Sequence, residues 1–333
     1  MFAGGGTGGH VYPLVAIAEA TKDLSATEGR HVEMRFIGSG HILKKAAEDL
    51  GISYGKILAP KVRRYEGSGL NFLDFWKIPV AFVQSLVHVW MYMPDVIIAK
   101  GGYASFFPML AAKLFAVPLI IHESDTIPGK VNLLFDKRAL RVFVAFEHAK
   151  QYFTANQVEV IGNPIRKAFL QAPDQAQARS VWRFDAAKPL IFITGGSQGA
   201  RSLNEIVLTD LIEFLKKFNI VHQVGDNNLS DVQTRIAAIT KEEPSQAEEI
   251  KKSYKVYGSL SDAEMASGYA AADVIVSRAG SAIFEMVMFG KPMVLVPLEK
   301  AAQGHQFQNA RELEPFGAIV VSQENLTPHI LSD

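Results

Sequence analysis

Cysteine is absent from this sequence, and neither charge is in excess. The 333 residues include 34 Lys and Arg and 34 Asp and Glu, so the formal net charge is +0 at pH 7. Without thiols the chain forms neither disulfide bridges nor thiolate metal sites. Without a net positive charge it has no general electrostatic attraction for nucleic acid, and we expect no nucleic-acid partner.

Motifs of metal chemistry and of acyl transfer are missing as well. The sequence has no Asp-x-Asp pair of the kind that holds a divalent metal on a diphosphate, no histidine cluster with metal-ligand spacing and no G-x-S-x-G elbow. We therefore expect neither a bound metal nor a cofactor. A sugar-nucleotide enzyme built this way would rely on helix N-termini and arginine side chains to hold the diphosphate.

The sequence does contain an internal repeat. "FAGGGTGGHVYPL" near the start and "IFITGGSQGARSLNEI" from Ile191 each join an apolar run, a glycine loop and a helical segment. The same order recurs in "PDVIIAKGGYASFFPMLAAKLFAVPLIIHE" from Pro94 and "ADVIVSRAGSAIFEMVMFGKPMVLVP" from Ala272. Continuous apolar strands that alternate with helices are typical of parallel sheets covered on both faces.

The repeat therefore predicts an α/β fold with two similar, Rossmann-like, doubly wound parallel-sheet domains that face each other across a cleft. The turn residues of "VIGNPIRKAF" and the polar stretch after them place the boundary, with residues 1–163 in an N-terminal domain and residues 164–333 in a C-terminal domain. Ligands of such sheets bind at the carboxyl ends of the strands. The glycine loops of both domains are thus expected to line the cleft.

The first glycine loop, "GGGTGGH" at Gly4–His10, is followed directly by the helical segment "VYPLVAIAEA". Glycine permits positive φ angles and close approach by a ligand, and a helix N-terminus favours anions such as phosphate. The loop is a candidate phosphate site with one titratable side chain, His10. The alternative is a tight strand-to-helix turn that happens to carry a histidine.

Three segments of the second half are further candidates. "GGSQGARSLN" at Gly195–Asn204 adds the side-chain donors Ser197 and Gln198 to a glycine loop, although a plain turn is the alternative. In "SRAGSAIFE", Glu285 follows a glycine loop and can accept ribose hydroxyls or simply stabilise a helix N-terminus. "GHQFQNA" offers amides and an imidazole, for a sugar or as a solvated turn.

"HESD" at His122–Asp125 ends the apolar strand "VPLII". Titratable groups at the carboxyl end of a parallel strand are costly to bury unless they are paired. Their clustering favours a functional site over a structural pair.

The segment from Asn71 to Met93 has the highest aromatic density in the chain, and its charged residues and proline argue against a membrane-spanning helix. Apolar and aromatic residues beside basic ones can bind an anionic membrane surface. A core helix with a hydrophobic entry loop is the alternative. The residues of the membrane hypothesis are Phe72, Phe75 and Trp76 on the apolar side and Lys61, Arg63 and Arg64 on the basic side.

Taken in order, "GGGTGGHVYP", "PDVIIAKGGY", "IHES", "GNPIR", "GGSQGARSLN", "SRAGS" and "HQFQNA" resemble the MurG-type N-acetylglucosaminyltransferases of peptidoglycan synthesis along nearly the whole chain. The resemblance implies a GT-B fold and an inverting, metal-independent transfer of N-acetylglucosamine from UDP-N-acetylglucosamine to the muramyl 4-hydroxyl of lipid I, which gives lipid II. It also implies peripheral attachment to the anionic cytoplasmic face of the cell membrane.

The resemblance further assigns roles to individual residues. His10 is the expected general base, because an imidazole with an ordinary pKa near 6.5 suits proton transfer at neutral pH, and Glu123 is the second choice. Asp125 stands where the family has an amide, so its contact differs. The implied substrate-binding residues are Thr7, Gly8, Gly9, Tyr103 and Asp125 for the acceptor half, and Arg166, Ser197, Gln198, Leu260, Ser281, Ala282, Ile283, Phe284, Glu285 and Gln306 for the donor.

Two other functions use the same sequence features. A UDP-N-acetylglucosamine epimerase shares the architecture but does not need an aromatic and basic surface. A non-catalytic nucleotide- or lipid-binding module would retain the glycine loops without turning over a substrate.

Overall fold

Two parallel β-sheets organise the chain in the computed structural model, which describes residues 1–59, 72–154, 157–196, 199–298 and 304–327. Each sheet belongs to its own compact unit, Met1–Lys167 or Ala168–Asp333. The prediction of two doubly wound parallel-sheet domains is confirmed. The sequence places the boundary after Asn163, whereas the two units divide after Lys167.

The first unit contains a seven-stranded sheet with the order β3-β2-β1-β4-β5-β6-β7, in which neighbouring strands are parallel. Its strands are β1 (Phe2–Gly5), β2 (Arg35–Ser39), β3 (Ser53–Lys56), β4 (Ile97–Ala99), β5 (Leu119–Glu123), β6 (Arg141–Val144) and β7 (Val158–Val160). Its helices are α1 (Gly8–Thr27), α2 (His41–Leu50), α3 (Phe72–Tyr92), α4 (Tyr103–Leu114) and α5 (Lys130–Phe135), and α6 (Lys167–Leu170) spans the division.

The second unit contains a six-stranded parallel sheet with the order β10-β9-β8-β11-β12-β13. Its strands are β8 (Leu190–Thr194), β9 (Asn219–Gln223), β10 (Tyr254–Tyr257), β11 (Val274–Ser277), β12 (Met293–Leu295) and β13 (Ile319–Val320). Its helices are α7 (Gln175–Trp182), α8 (Arg201–Thr209), α9 (Leu211–Lys217), α10 (Asp226–Glu242), α11 (Ala247–Ser253), α12 (Asp262–Ala271), α13 (Ile283–Val287) and α14 (His305–Arg311).

The internal repeat is visible in the topology. β1 and β8 are the first strands of their units, and β4 and β11 are the fourth; in both sheets these two strands are neighbours. The strand order reverses between them, and doubly wound sheets bind their ligands at such a reversal. The four glycine loops of the repeat therefore follow the four strands that flank the two binding positions.

Alternation along the strands explains why helices cover both faces of the first sheet. Phe2 and Phe36 pack with Leu14 of α1 and Leu43 of α2 on one face. Their neighbours on the same strands, such as Ile37, point into the other cluster, which includes residues of α3 and α4. Because successive side chains of a strand point to opposite faces, a strand between two layers must be apolar throughout.

Candidate functional site

The first glycine loop brings its histidine to the carboxyl end of β1. Gly5 and Gly6 have φ angles of +138° and +92°, which side-chain-bearing residues rarely adopt, and the Gly6 amide donates to the Ser39 carbonyl oxygen at 3.1 Å. The chain then enters α1, and His10 lies in its first turn. His10 Nδ1 and Thr7 Oγ1 are 3.1 Å apart, which fixes the plane of the imidazole.

The loop after β4 packs against the loop after β1. A Cβ atom added at Gly102 would lie 3.1 Å from His10 Nε2, and one added at Gly6 would lie 3.0 Å from the Tyr103 ring. Burial raises the pKa of the half-buried Tyr103 hydroxyl. The structure thus brings together the candidates Thr7, Gly8, Gly9, His10 and Tyr103 at the sheet reversal of the first unit.

The carboxylate of Glu123, at the end of β5, accepts three hydrogen bonds. Its Oε1 atom accepts from the Asp125 amide at 3.0 Å, and its Oε2 atom accepts from the Gly129 amide at 2.8 Å and from Asn132 Nδ2 at 2.9 Å. Burial raises the pKa of Glu123, and the neighbouring Asp125 adds to that rise. The three N–H donors act the other way, because they stabilise the ionised carboxylate.

Lys100, which the sequence analysis did not single out, supplies the opposite charge. It is completely buried at the end of β4, and burial lowers its pKa to about 8, although Glu123 and Asp125 favour its charged form. A lysine directly after the apolar run "VIIA" is the sequence signal that could have identified it. His122 is also buried; its Nε2 atom lies 3.0 Å from the Gly162 carbonyl oxygen, and burial lowers its pKa.

Arg166 lies within the first unit. Its guanidinium carbon stands 3.9 Å above the centroid of the Tyr12 ring, and only 4% of the residue is exposed. Tyr12 lies in α1, and Lys167, the residue after Arg166, also bonds to α1. Its amide donates to Glu19 at 2.8 Å, and its Nζ atom donates to Asp23 at 2.7 Å. The segment that ends the first unit is thus attached to α1.

In the second unit, the glycine loop after β8 is tightly folded. A Cβ atom added at Gly199 would lie 2.2 Å from the Val224 carbonyl oxygen, so the loop backbone touches the end of β9. The Gly196 amide donates to Thr194 Oγ1 at 3.0 Å. Ser197 and Gln198, the predicted donors of this loop, lie outside the described residues.

The loop after β11 holds the other donor-site candidates. Glu285 is buried in α13, and Ser281, Ala282 and Phe284 beside it are half-buried. Ile283 is completely buried in the core, so only its backbone can face a ligand. Gln306, in α14, accepts from the Leu298 amide at 2.9 Å through Oε1, and Leu260 is half-buried between β10 and α12.

Arg278 connects the elements around this loop. Its Nη1 atom donates to the Val296 carbonyl oxygen at 2.9 Å, and its Nη2 atom donates to Ser202 Oγ and Gln323 Oε1, each at 2.8 Å. Ser202 lies in the first turn of α8, which follows the loop after β8. Arg278 therefore joins the two glycine loops of the second unit.

Within the described part of the chain, no three His, Asp or Glu side chains are grouped so that they could hold a metal ion. Positive charge at the candidate sites comes instead from helix N-termini, from the buried Lys100 and from the half-buried Arg278.

Comparison with known families matches both units. Residues 1–144 match the model of the glycosyltransferase family 28 N-terminal domain, and residues 190–333 match that of the glycosyltransferase family 28 C-terminal domain. The chain is 34% identical over 345 residues to a Treponema denticola protein and 36% identical over 335 residues to one from Bacillus anthracis. It is covered to 99% in both alignments, which span 85% and 88% of those relatives. Both are named UDP-N-acetylglucosamine–N-acetylmuramyl-(pentapeptide) pyrophosphoryl-undecaprenol N-acetylglucosamine transferase, the second with the suffix 2.

Solved structures give the same fold. The crystal structure of Acinetobacter baumannii MurG superimposes with a TM-score of 0.68 at 28% identity, over 100% of this chain and 88% of that one. UDP-GlcNAc 2-epimerase from Neisseria meningitidis, bound to UDP-GlcNAc, superimposes with a TM-score of 0.58 at 15% identity, over 92% of this chain and 88% of that one. The epimerase likeness concerns the fold alone.

Proposed function

We infer the activity from a single premise, that the chain belongs to the family of UDP-N-acetylglucosamine–N-acetylmuramyl-(pentapeptide) pyrophosphoryl-undecaprenol N-acetylglucosamine transferases. It is a hexosyltransferase of GT-B fold that transfers N-acetylglucosamine from UDP-N-acetylglucosamine to lipid I and so forms lipid II of peptidoglycan synthesis. The alignments with these relatives cover 99% of the chain, so they include both units.

The acceptor is assigned to the first unit and the donor to the second. The first unit presents the glycine loop around Thr7–His10 together with Tyr103, which suits a diphosphate and the reacting sugar. In the second unit, Glu285 would accept the ribose hydroxyls, and the N-terminus of α8 would stabilise the diphosphate charge. Ser197, Gln198, Leu260, Ser281 and Gln306 remain candidate donor contacts. Arg166, the implied contact of the uracil, belongs instead to the first unit, where it is buried against Tyr12.

His10 is the proposed general base, and the observation that carries this proposal is its fixed position between Thr7 and Gly102. When Nδ1–H donates to Thr7 Oγ1, the basic lone pair of the ring is on Nε2. That nitrogen takes the proton of the muramyl 4-hydroxyl while the oxygen bonds to the anomeric carbon. The bond from that carbon to UDP breaks on the opposite face and UDP leaves with the electron pair, so the configuration inverts.

Glu123 is less suited to that step. Three N–H donors point at its carboxylate, and because they stabilise the ionised form they make it a weaker proton acceptor. Its neighbour Asp125 is a candidate acceptor contact at the end of the same strand.

Attachment to the cytoplasmic membrane surface would use α3. The side chains that α3 exposes between Val80 and Met91 are all apolar. No helix of the described residues is long and apolar enough to cross a bilayer. Of the predicted membrane patch, Lys61, Arg63 and Arg64 lie outside the described residues, as do the side chains of Phe72 and Phe75, whereas Trp76 is 61% exposed.

A product assay tests the proposed reaction against epimerisation. The protein is incubated with UDP-N-acetylglucosamine, with and without a lipid I analogue, and the products are separated by chromatography. We expect a lipid-linked disaccharide and UDP in the presence of the acceptor. Formation of UDP-N-acetylmannosamine with no lipid-linked product would contradict the proposal.

A further inference from the structure

Asn132 connects Glu123 to the glycine pair after β4. The asparagine is 1% exposed on α5, and its Nδ2 atom donates to Glu123 Oε2 at 2.9 Å. The Asn132 amide also packs against the backbone of Gly101. A Cβ atom added at Gly101 would be 2.5 Å from Asn132 Oδ1 and 2.7 Å from Nδ2. No side chain could be inserted at Gly101 without moving the amide.

A second contact holds Gly101 from the side of β1. The buried Ser105 hydroxyl donates to the Gly101 carbonyl oxygen at 2.7 Å and lies 2.9 Å from the Ala3 carbonyl oxygen. Gly101 and Gly102 have φ angles of +80° and +74°, which favour glycine, so this turn depends on its surroundings to fix its position.

The Gly101–Gly102 turn limits where the imidazole of His10 can lie. The Gly102 Cα atom faces His10, and a Cβ atom there would be 3.1 Å from Nε2 and 3.2 Å from Cδ2. A shift of the glycine pair away from His10 would open space beside the reactive nitrogen. A shift towards it would force the ring off Thr7.

From these contacts we propose that Asn132, held by Glu123, is a positioning residue for the general base, acting through Gly101 and Gly102 on the imidazole of His10. The inference deepens the proposed function and rests on it. It also gives Glu123 a role that uses its hydrogen bonds rather than a proton transfer. Small displacements of a catalytic group can cost about 10²-fold in rate.

A double-mutant cycle on the full-length protein tests the proposal. Turnover of radiolabelled UDP-N-acetylglucosamine with a lipid I analogue is measured for wild type, Asn132→Ala, His10→Ala and the double variant. We expect Asn132→Ala to lower kcat about 10–10²-fold with an unchanged KM for the donor. In the His10→Ala background the same substitution should change kcat less than twofold, because the group it positions is gone.

Asn219→Ala is the matched control, since Asn219 is an equally buried asparagine that bonds two carbonyl oxygens in the second unit. Its effect should be the same in both backgrounds. Asn132→Leu, which fills a similar volume without an N–H donor to Glu123, repeats the cycle should the alanine variant fold poorly. Loss of folding in both variants would make Asn132 structural and overturn the proposal.

The pH profile of kcat separates positioning from a change in the base itself. If Glu123 were the base, removal of the Asn132 donor would raise its pKa and move the acid limb to higher pH. With His10 as the base, Asn132→Ala should lower the plateau and leave the limb in place. Equal effects of Asn132→Ala in both backgrounds, or a shifted limb, would overturn the inference while the transferase stands. Near-normal turnover of His10→Ala would instead refute the proposed base.

Discussion

His10 and Glu123 both lie at the carboxyl edge of the first sheet, yet their surroundings give them different capacities for proton transfer. The Thr7 hydroxyl lies 3.1 Å from Nδ1 of the imidazole, and the backbone of Gly102 lies beside its Nε2 atom. The carboxylate accepts three N–H bonds and lies close to the charged Lys100. A group that must gain and lose a proton in each cycle is better served by the first environment.

Glu285 tests the donor assignment. Glu285→Gln keeps the shape of the side chain but removes its charge, and hydrogen bonds to charged groups exceed neutral ones by about 1 kcal/mol. We expect the Kd for UDP-N-acetylglucosamine, measured by calorimetry, to rise about five- to tenfold. Glu248→Gln, at an exposed carboxylate of α11, is the control and should leave the Kd unchanged. Equal affinities for wild type and Glu285→Gln would remove Glu285 from the ribose site.

His222 predicts a pH dependence of stability in the second unit. It is fully buried between Tyr254 and Asn204, and burial lowers its pKa from 6.5 to about 3. Between these pH values the unfolded chain binds the proton and the folded chain does not, so the free energy of unfolding rises with pH there. Acidification from pH 7.5 to 5 should therefore remove about 2 kcal/mol through this residue.

Urea unfolding of the His222→Gln variant checks this effect. Trp182 is the one tryptophan of the second unit, so Trp76→Phe and Trp90→Phe in every protein compared make its fluorescence specific. The loss of stability between pH 7.5 and 5 should be about 2 kcal/mol smaller in His222→Gln. His41→Gln, at an exposed histidine of α2, should lose as much free energy of unfolding between pH 7.5 and 5 as wild type does. If all three proteins lost the same free energy of unfolding between pH 7.5 and 5, His222 would be protonated in the folded state, and burial would not lower its pKa as described.

At the scale of elements, the exposed face of α3 is apolar, as its buried face largely is. Ala81, Ser85 and Val89 are buried against the unit, whereas Val80, Val83, Val87 and Trp90 are exposed at helical spacing. An exposed apolar face of this length is typical of an interaction surface. Because the peripheral attachment proposed above uses this face, its removal should affect membrane binding and leave soluble-donor binding intact.

Sedimentation with vesicles of anionic and neutral lipids tests the α3 face. We expect Val83→Ser/Trp90→Ser to lower the fraction bound to anionic vesicles several-fold. Leu24→Ser, which removes an equally exposed apolar side chain from α1, should bind as wild type does. Equal binding by all three proteins would exclude the α3 face as the attachment site.

For the molecule as a whole, the sequence predicted the fold because its signals are local. Apolar runs such as "LIFIT" form strands that are buried along their whole length, and glycines with positive φ mark the loops after β1, β4 and β8. The repeat then places those loops at equivalent positions of two sheets. Each of these inferences needs only a short window of sequence.

The contacts that give the site its chemistry were not predictable in this way. The burial of Lys100, the stacking of Arg166 on Tyr12 and the contact of Asn132 with Gly101 each join elements that are distant along the chain. No periodicity or motif encodes which side chain will meet which backbone across a loop. The identity of Glu123 was visible in the sequence, but two of its three N–H donors depend on where α5 begins.

We propose that the first unit activates the acceptor through His10 while the second binds the donor. It is tested most directly by measuring, on His10→Ala, both the transfer of radiolabelled N-acetylglucosamine to a lipid I analogue and the Kd for the donor. We expect kcat to fall about 10²–10⁴-fold, the usual contribution of a general base, and the Kd to stay within twofold of wild type. Near-normal transfer, or a loss of donor binding equal to the loss of transfer, would contradict it.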